Sequence, residues 1–250
     1  MSAEVASGTR AVPPPMSEGA RLVGIFFEPK KAFTDIAQRP RWIVPTLIAI
    51  VFSVIYLYAF NTHIGWEPYL HRLLDNNERM SQLPAEQRQN IFNLYLRFLP
   101  LYTYVIAVVF IPLAYVIGGG VALGMVKLLM GVPLRFKQVF AVFAYASLVR
   151  VIYSVLSTIV VYVTKNGDSL DPQNAFFSNP AVLIDQTKSP FLYQVASNAD
   201  IFVIWVLLLI AVGLKAAGGK RLSFGGAFFA VLFPFLVYVL LRGALGVLQS

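Results

Sequence analysis

The sequence predicts an all-α membrane protein, a polytopic bundle of five transmembrane helices preceded by a short interfacial amphipathic helix. Three observations carry this. Hydrophobic residues make up 58% of the 250 positions and charged residues 13%, about half the charged share of a soluble domain. The apolar residues are gathered into uncharged runs, Trp42 to Phe60, Phe98 to Val126, Val151 to Thr164, Ile201 to Leu214 and Leu222 to Leu241. About 20 such residues cross a ~30 Å hydrocarbon core as a helix. The Lys and Arg residues, finally, are divided unevenly between alternate connections, which is how orientation is encoded in helical membrane proteins. Water-soluble enzyme folds, nucleic-acid-binding domains and coiled coils are excluded on these grounds, and no nucleic-acid partner is expected.

Residues 1–20, closing with Pro13-Pro-Pro15 and small residues, have no hydrophobic periodicity and read as a disordered tail. Residues 21–250 read as one membrane domain. The first 41 residues hold no apolar run of the length a cleavable signal needs, so the first crossing is expected to direct insertion. Between Arg21 and Gln38, Pro29 suits the first turn of a helix and Pro40 closes it. Phe26, Phe33, Ile36 and Ala37 gather on one side while Lys30, Lys31 and Asp35 face elsewhere, the pattern of a segment lying in the headgroup plane. Phe26, Phe33, Lys30 and Lys31 are therefore the expected interfacial anchor.

The first crossing is placed at residues 42–60, with Pro45 tolerable in its first turn. The second, residues 98–130, begins with 29 uncharged residues, about 43 Å at 1.5 Å per residue. It must tilt, bend or project, and Pro112 and Gly118-Gly-Gly120 are where it would bend. The third, residues 138–163, carries Arg150 near its middle, and the fourth, residues 196–215, carries Asp200 in its first turns. The fifth, residues 224–247, is kinked by Pro234 and brings Arg242 close enough to its end to snorkel. Long outer connections, residues 61–97 and 165–195, contain helix-like pieces such as Pro84 to Tyr95.

Grouping the connections alternately places twelve Lys/Arg with the N-terminus: six before Trp42, then Lys127, Arg135, Lys137, Lys215, Lys220 and Arg221. Seven lie on the other side. The rule for short loops then puts the N-terminus in the cytoplasm and the C-terminus outside. The absence of cysteine removes disulfides, thiolate metal sites and thiol nucleophiles.

No zincin, nucleophile-elbow or Walker motif is present, and neither a cofactor nor enzymatic activity is expected. His63, Glu67, His71 and Asp75 recur at four-residue spacing, but Gly65 and Pro68 interrupt the helix that would align them as metal ligands. Arg150 is the informative residue, because a charge deep in a bilayer costs on the order of 2.5 to 3.5 kcal/mol and faces the bundle interior or a wet cavity. Ser147, Ser154, Ser157 and Thr158 continue a polar stripe through it. Two roles stand open: a structural pair, with Asp200 the acid in reach, or an anion or substrate contact in a cavity. Small residues on the second crossing, Ala114, Gly118, Ala122 and the Gly120-x-x-x-Gly124 pair, allow close helix packing within the chain.

The order of features resembles the Yip domain family, the Ypt/Rab-interacting-protein-like membrane proteins, in its bacterial-type members. The resemblance lies in Phe26-Phe-Glu-Pro-Lys-Lys-Ala-Phe33 and Pro40-Arg-Trp-Ile-Val-Pro45. It continues in Gly118-Gly-Gly with Phe136-Lys-Gln-Val-Phe-Ala-Val-Phe-Ala-Tyr-Ala146, and in Asp200-Ile-Phe-Val-Ile-Trp205 with Gly213-Leu214. It implies a cytoplasmic N-terminus, an outside C-terminus and no catalysis, with vesicle traffic and GTPase binding in eukaryotic members. Where the family often has a Pro soon after the Ala-Tyr of the third crossing, this chain has Ser147-Leu-Val-Arg150.

The function expected from these readings is a non-enzymatic integral membrane protein that organises membrane or protein partners in a bacterial inner membrane. Its partners are the lipid bilayer and other membrane proteins or further copies of itself. The alternative is a small transporter, or an accessory subunit of an export or efflux system, using the Arg150 stripe.

Overall fold

A computed structural model describes residues 14–75, 78–164, 170–172, 174–185 and 188–249. Five helical spans, Ile43–His63, Ala85–Leu129, Phe136–Val163, Ile201–Arg221 and Phe224–Gly246, are long and apolar enough to cross a membrane. The chain is an integral, multi-pass membrane protein.

Most of the tail expected at residues 1–20 lies outside the described residues, but its end is helical. The Ser17 hydroxyl accepts the Ala20 amide and caps α1, Glu18–Phe27. A second helix, α2, covers Pro29–Gln38. The segment before the first span is thus helical in two pieces. Pro29 disfavours helical geometry at the residue before it and has no N–H to continue the α1 ladder, and Glu28 leaves the helical region with φ −131° and ψ 56°. The two helices fold back on each other, bringing Gly24 beside Ala32. Their shared apolar face, with Ile25, Ala32, Phe33 and Ile36 fully buried, packs on protein.

Helix α3, Ile43–His63, ends at Gly65, whose φ of +83° turns the chain into α4, Glu67–Asp75. After α5, Glu78–Ser81, comes the longest element, α6, Ala85–Gly124, which continues through a π-helical turn at Met125–Leu129. These 45 residues extend about 67 Å at 1.5 Å per residue, more than twice a hydrocarbon core. The helix-like piece from Pro84 to Tyr95 and the second crossing are therefore one projecting element. Pro100 and Pro112 lie inside this helix, where each removes one hydrogen bond to the preceding turn and leaves the rest of the ladder in place.

The third span is broken where the sequence reading made it continuous: α7 is Phe136–Ala146, α8 is Val149–Val163, and a turn at Ser147 and Leu148 joins them. The fourth is shifted toward the C-terminus from the expected residues 196–215. Residues Ala196 to Asn198 belong to α9, Pro190–Asn198, while α10 begins at Ile201 and runs to Gly218. A 3-10 turn at Pro180–Leu183 precedes α9, and α11, Phe224–Gln249, completes the chain.

The core is centred where α2, α7 and α10 meet. Gly213 on α10 makes that junction possible, since a Cβ there would lie 2.4 Å from Val142 Cγ1 and 2.9 Å from Phe33 Cδ1. Around it, α3 packs on α8, α6 on α7, and α11 on α10 with α9 along the C-terminal part of α11. Burial grades outward accordingly. Over its most apolar stretch the α7–α8 span is 56% buried, whereas the α6 and α11 spans are 22% buried each and form the two open walls.

Candidate functional site

Two clusters of polar side chains are set into this apolar frame. The first is inside the α1–α2 hairpin. Arg21 is only 2% exposed. Its Nη2 lies 2.6 Å from Asp35 Oδ2, to which its Nε also donates at 2.7 Å, and Arg39 Nη1 donates to Asp35 Oδ1 at 3.0 Å. Glu18 Oε2 is 3.5 Å from Arg21 Nη1, and the Tyr145 hydroxyl of α7 donates to Glu18. Burial would lower the Arg21 pKa, but the hydrogen bond and charge of Asp35 raise it above its ordinary value, so the guanidinium stays charged. Gln138 Nε2 on α7 donates to the Ala37 carbonyl at 2.9 Å and fastens the other end of the hairpin. Sequence reasoning did not single out Arg21. The only local signals are its spacing of three from Glu18 and the spacing of four between Asp35 and Arg39.

The expected anchor residues divide between this hairpin's two sides. Phe33 is wholly buried against Gly213 and Val142, and Phe26 stands edge-on to Trp205 with ring centroids 5.9 Å apart. Trp205 precedes Gly218, the end of α10, by thirteen residues, about 20 Å of helix. The hairpin thus packs along α10, through Phe26 at Trp205 and Phe33 at Gly213. Lys30 and Lys31 are exposed, with Lys31 Nζ 2.8 Å from Glu28. Val23 and Phe27 are the apolar side chains that remain uncovered.

The second cluster surrounds Arg150. The expected pair with Asp200 is not formed. Asp200 is 6% exposed and caps α10, accepting the amides of Phe202 at 2.8 Å and Val203 at 3.2 Å and the hydroxyl of Ser178. With its oxygens engaged, it has little to offer a distant cation. Arg150 is exposed, and its guanidinium lies 5.5 Å from the Tyr153 ring centroid; among the described residues it makes no ion pair. Tyr153 packs edge-on to Phe202, near the start of α10. Arg150 therefore sits about one helical turn from the level at which α10 starts, and near the middle of the Phe136–Val163 span, as the sequence placed it. Ser154 Oγ donates to the Arg150 carbonyl at 3.1 Å and Thr158 Oγ1 to the Ser154 carbonyl at 2.7 Å. Ser147 is buried at the break, its carbonyl accepting the Arg150 amide at 2.9 Å. The stripe thus spends much of its polarity on its own backbone.

The regularly spaced His63, Glu67, His71 and Asp75 are split between α3 and α4 at Gly65. His63 lies against Tyr162 and His71 against Phe92, and no group of three or more His, Asp or Glu converges among the described residues.

The sequence profile of the Yip1 domain matches residues 23–244. The chain belongs to the Yip1 domain family. The matched region runs from the second turn of α1 into α11, so the Yip1 domain here includes most of the hairpin and all five spans. Asp35, Arg39 and Tyr145 lie within it, while Glu18 and Arg21 precede it. No curated protein and no solved structure matches the chain.

Proposed function

We propose that this Yip1-domain protein is a non-enzymatic scaffold that gathers other membrane proteins, or further copies of itself, along its open walls. The observation that carries the reading is the division of labour on α6. Gly118 and Gly119 face α7, where a Cβ would lie 2.8 Å from Phe143 and 3.6 Å from Val139 respectively, whereas Gly120 and Gly124 face open space. The open side continues along exposed Val105, Val109, Ile117, Val121 and Leu128. Small residues on an apolar helix let a second helix approach closely, and an already packed bundle has no further use for them there.

The orientation we favour keeps the N-terminus in the cytoplasm and the C-terminus outside, in a bacterial inner membrane, on the basis of the Lys/Arg division. A reporter fused after Ser250 that is active only in the cytoplasm overturns it. The scaffold reading is tested by cysteines at Ile117 and Val121, cross-linked in native membranes with and without Gly120→Leu and Gly124→Leu. Discrete cross-linked species lost on these substitutions, with the folded fraction unchanged, support it. A chain that gives no discrete adduct with either parent removes α6 as a docking wall.

A further inference from the structure

We propose that the two short connections on the N-terminal side of the bundle form one binding site for the phosphate-bearing headgroups of anionic phospholipids. The first connection follows the π-helical turn and bends at Gly131, with φ +65°; the second bends at Gly219, with φ +58°. Only glycine adopts such angles without strain, so both turns are short and tightly set. They are also joined. Val126, Val132 and Leu134 of the first share one buried cluster with Leu222 and Ala227 of the second, and Met130 Sδ lies 3.3 Å from where a Cβ on Gly226 would be.

Around this common apolar floor stand Lys127, Arg135, Lys137, Lys220 and Arg221, all exposed. None of the five forms an ion pair among the described residues. The acids that could have neutralised them are engaged elsewhere: Glu18 and Asp35 inside the hairpin network, and Glu28 with Lys31. Lys215, by contrast, gives its ammonium to the Gly219 carbonyl and is not part of the patch.

The patch lies at a boundary. Leu128 is 86% exposed, and Leu129, Phe136 and Phe224 are exposed beside the cations. These side chains end the membrane spans and face acyl chains, so the groups next to the cations are lipid headgroups. A phospholipid places phosphate on the Lys and Arg groups and its acyl chains on the apolar ones, so one molecule satisfies both halves of the surface. Arg135 and Arg221 add planar forks suited to two phosphate oxygens each. The site does not depend on the scaffold reading of α6.

The test uses the full chain in nanodiscs of phosphatidylcholine mixed equally with phosphatidylglycerol. After extraction into mild detergent, mass spectrometry reads the lipids that stay bound. Retained lipid enriched at least about fivefold in phosphatidylglycerol is expected, the ratio that roughly 1 kcal/mol from a single basic side chain at a membrane surface supplies, and the enrichment should fall as salt rises. Arg135→Gln and Arg221→Gln, made singly so that insertion is kept, should each reduce it, whereas Arg97→Gln on the far side should not. Retention in bulk proportion by the wild type, or undiminished enrichment in both single variants, overturns the site. So does stronger capture of a short DNA duplex than of phosphatidylglycerol, which would assign the patch to a soluble polyanion.

Discussion

The protein holds two arginines close to its apolar interior and treats them in opposite ways. Arg21 is buried and met by Asp35 on one side and Glu18 on the other, with Arg39 and Tyr145 completing the acceptors' demands. Arg150 lies on a membrane-spanning helix, is exposed, makes no ion pair among the described residues, and rests on the ring of Tyr153. The difference shows that the sequence position of a charge does not fix its cost. A desolvated ion must be paired, because removing one partner strands the other. An exposed cation keeps freedom to reach along the helix surface and needs only a polarisable surface to rest on.

The contrast is most severely tested at Asp35. Asp35→Ala leaves Arg21 buried without its main partner, and a loss of about 3 to 5 kcal/mol is expected, read from unfolding in detergent or lipid. Arg21→Met combined with Asp35→Leu should lose much less. If the double variant is as damaged as the sum of its parts, the two residues are not coupled and the hairpin is held by packing alone.

Packing is probed separately at Gly213. Alanine there drives a methyl into Val142 and Phe33, and a loss of about 1 to 3 kcal/mol is expected from overpacking. An accompanying rise in protease cleavage between α2 and α3 would locate the damage at the hairpin. Wild-type stability in Gly213→Ala would mean that α2, α7 and α10 are not in close contact in the membrane.

Asp200→Ala removes a helix cap with two amide bonds and the Ser178 contact, and should cost about 1 to 2 kcal/mol. Arg150→Ala should cost the least, no more than about 1 kcal/mol, the scale of an exposed cation–π contact. The two changes should add, within a few tenths of a kcal/mol, in a double-mutant cycle. A coupling near 3 kcal/mol would restore the direct Arg150–Asp200 pair and erase the distinction between the two arginines.

The sequence was legible where its signal is an average over many residues. Five spans follow from runs of apolar residues, and each has its helix in the structure. Boundaries that rest on one or two residues were less legible. The break at Ser147 and Leu148 has no proline or glycine to announce it, and α10 starts at Ile201 because Asp200 caps it. The hairpin was half legible: Pro29 and the periodic Phe26, Phe33 and Ile36 mark an amphipathic helix, but amphipathicity does not say whether lipid or protein covers the apolar side.

Amino-acid composition and order alone therefore determined that this is a five-span helical membrane protein, because hydrocarbon thickness and backbone hydrogen bonding leave a chain with five long apolar runs one class of solution. Tertiary structure decided which charges are paired and which glycines are occupied. Arg21 meets Asp35 only when Glu28 and Pro29 reverse the chain, and Gly213 is indispensable only because Phe33 and Val142 converge on it. Such meetings depend on contacts between residues far apart along the chain, and no local pattern encodes the distance between them.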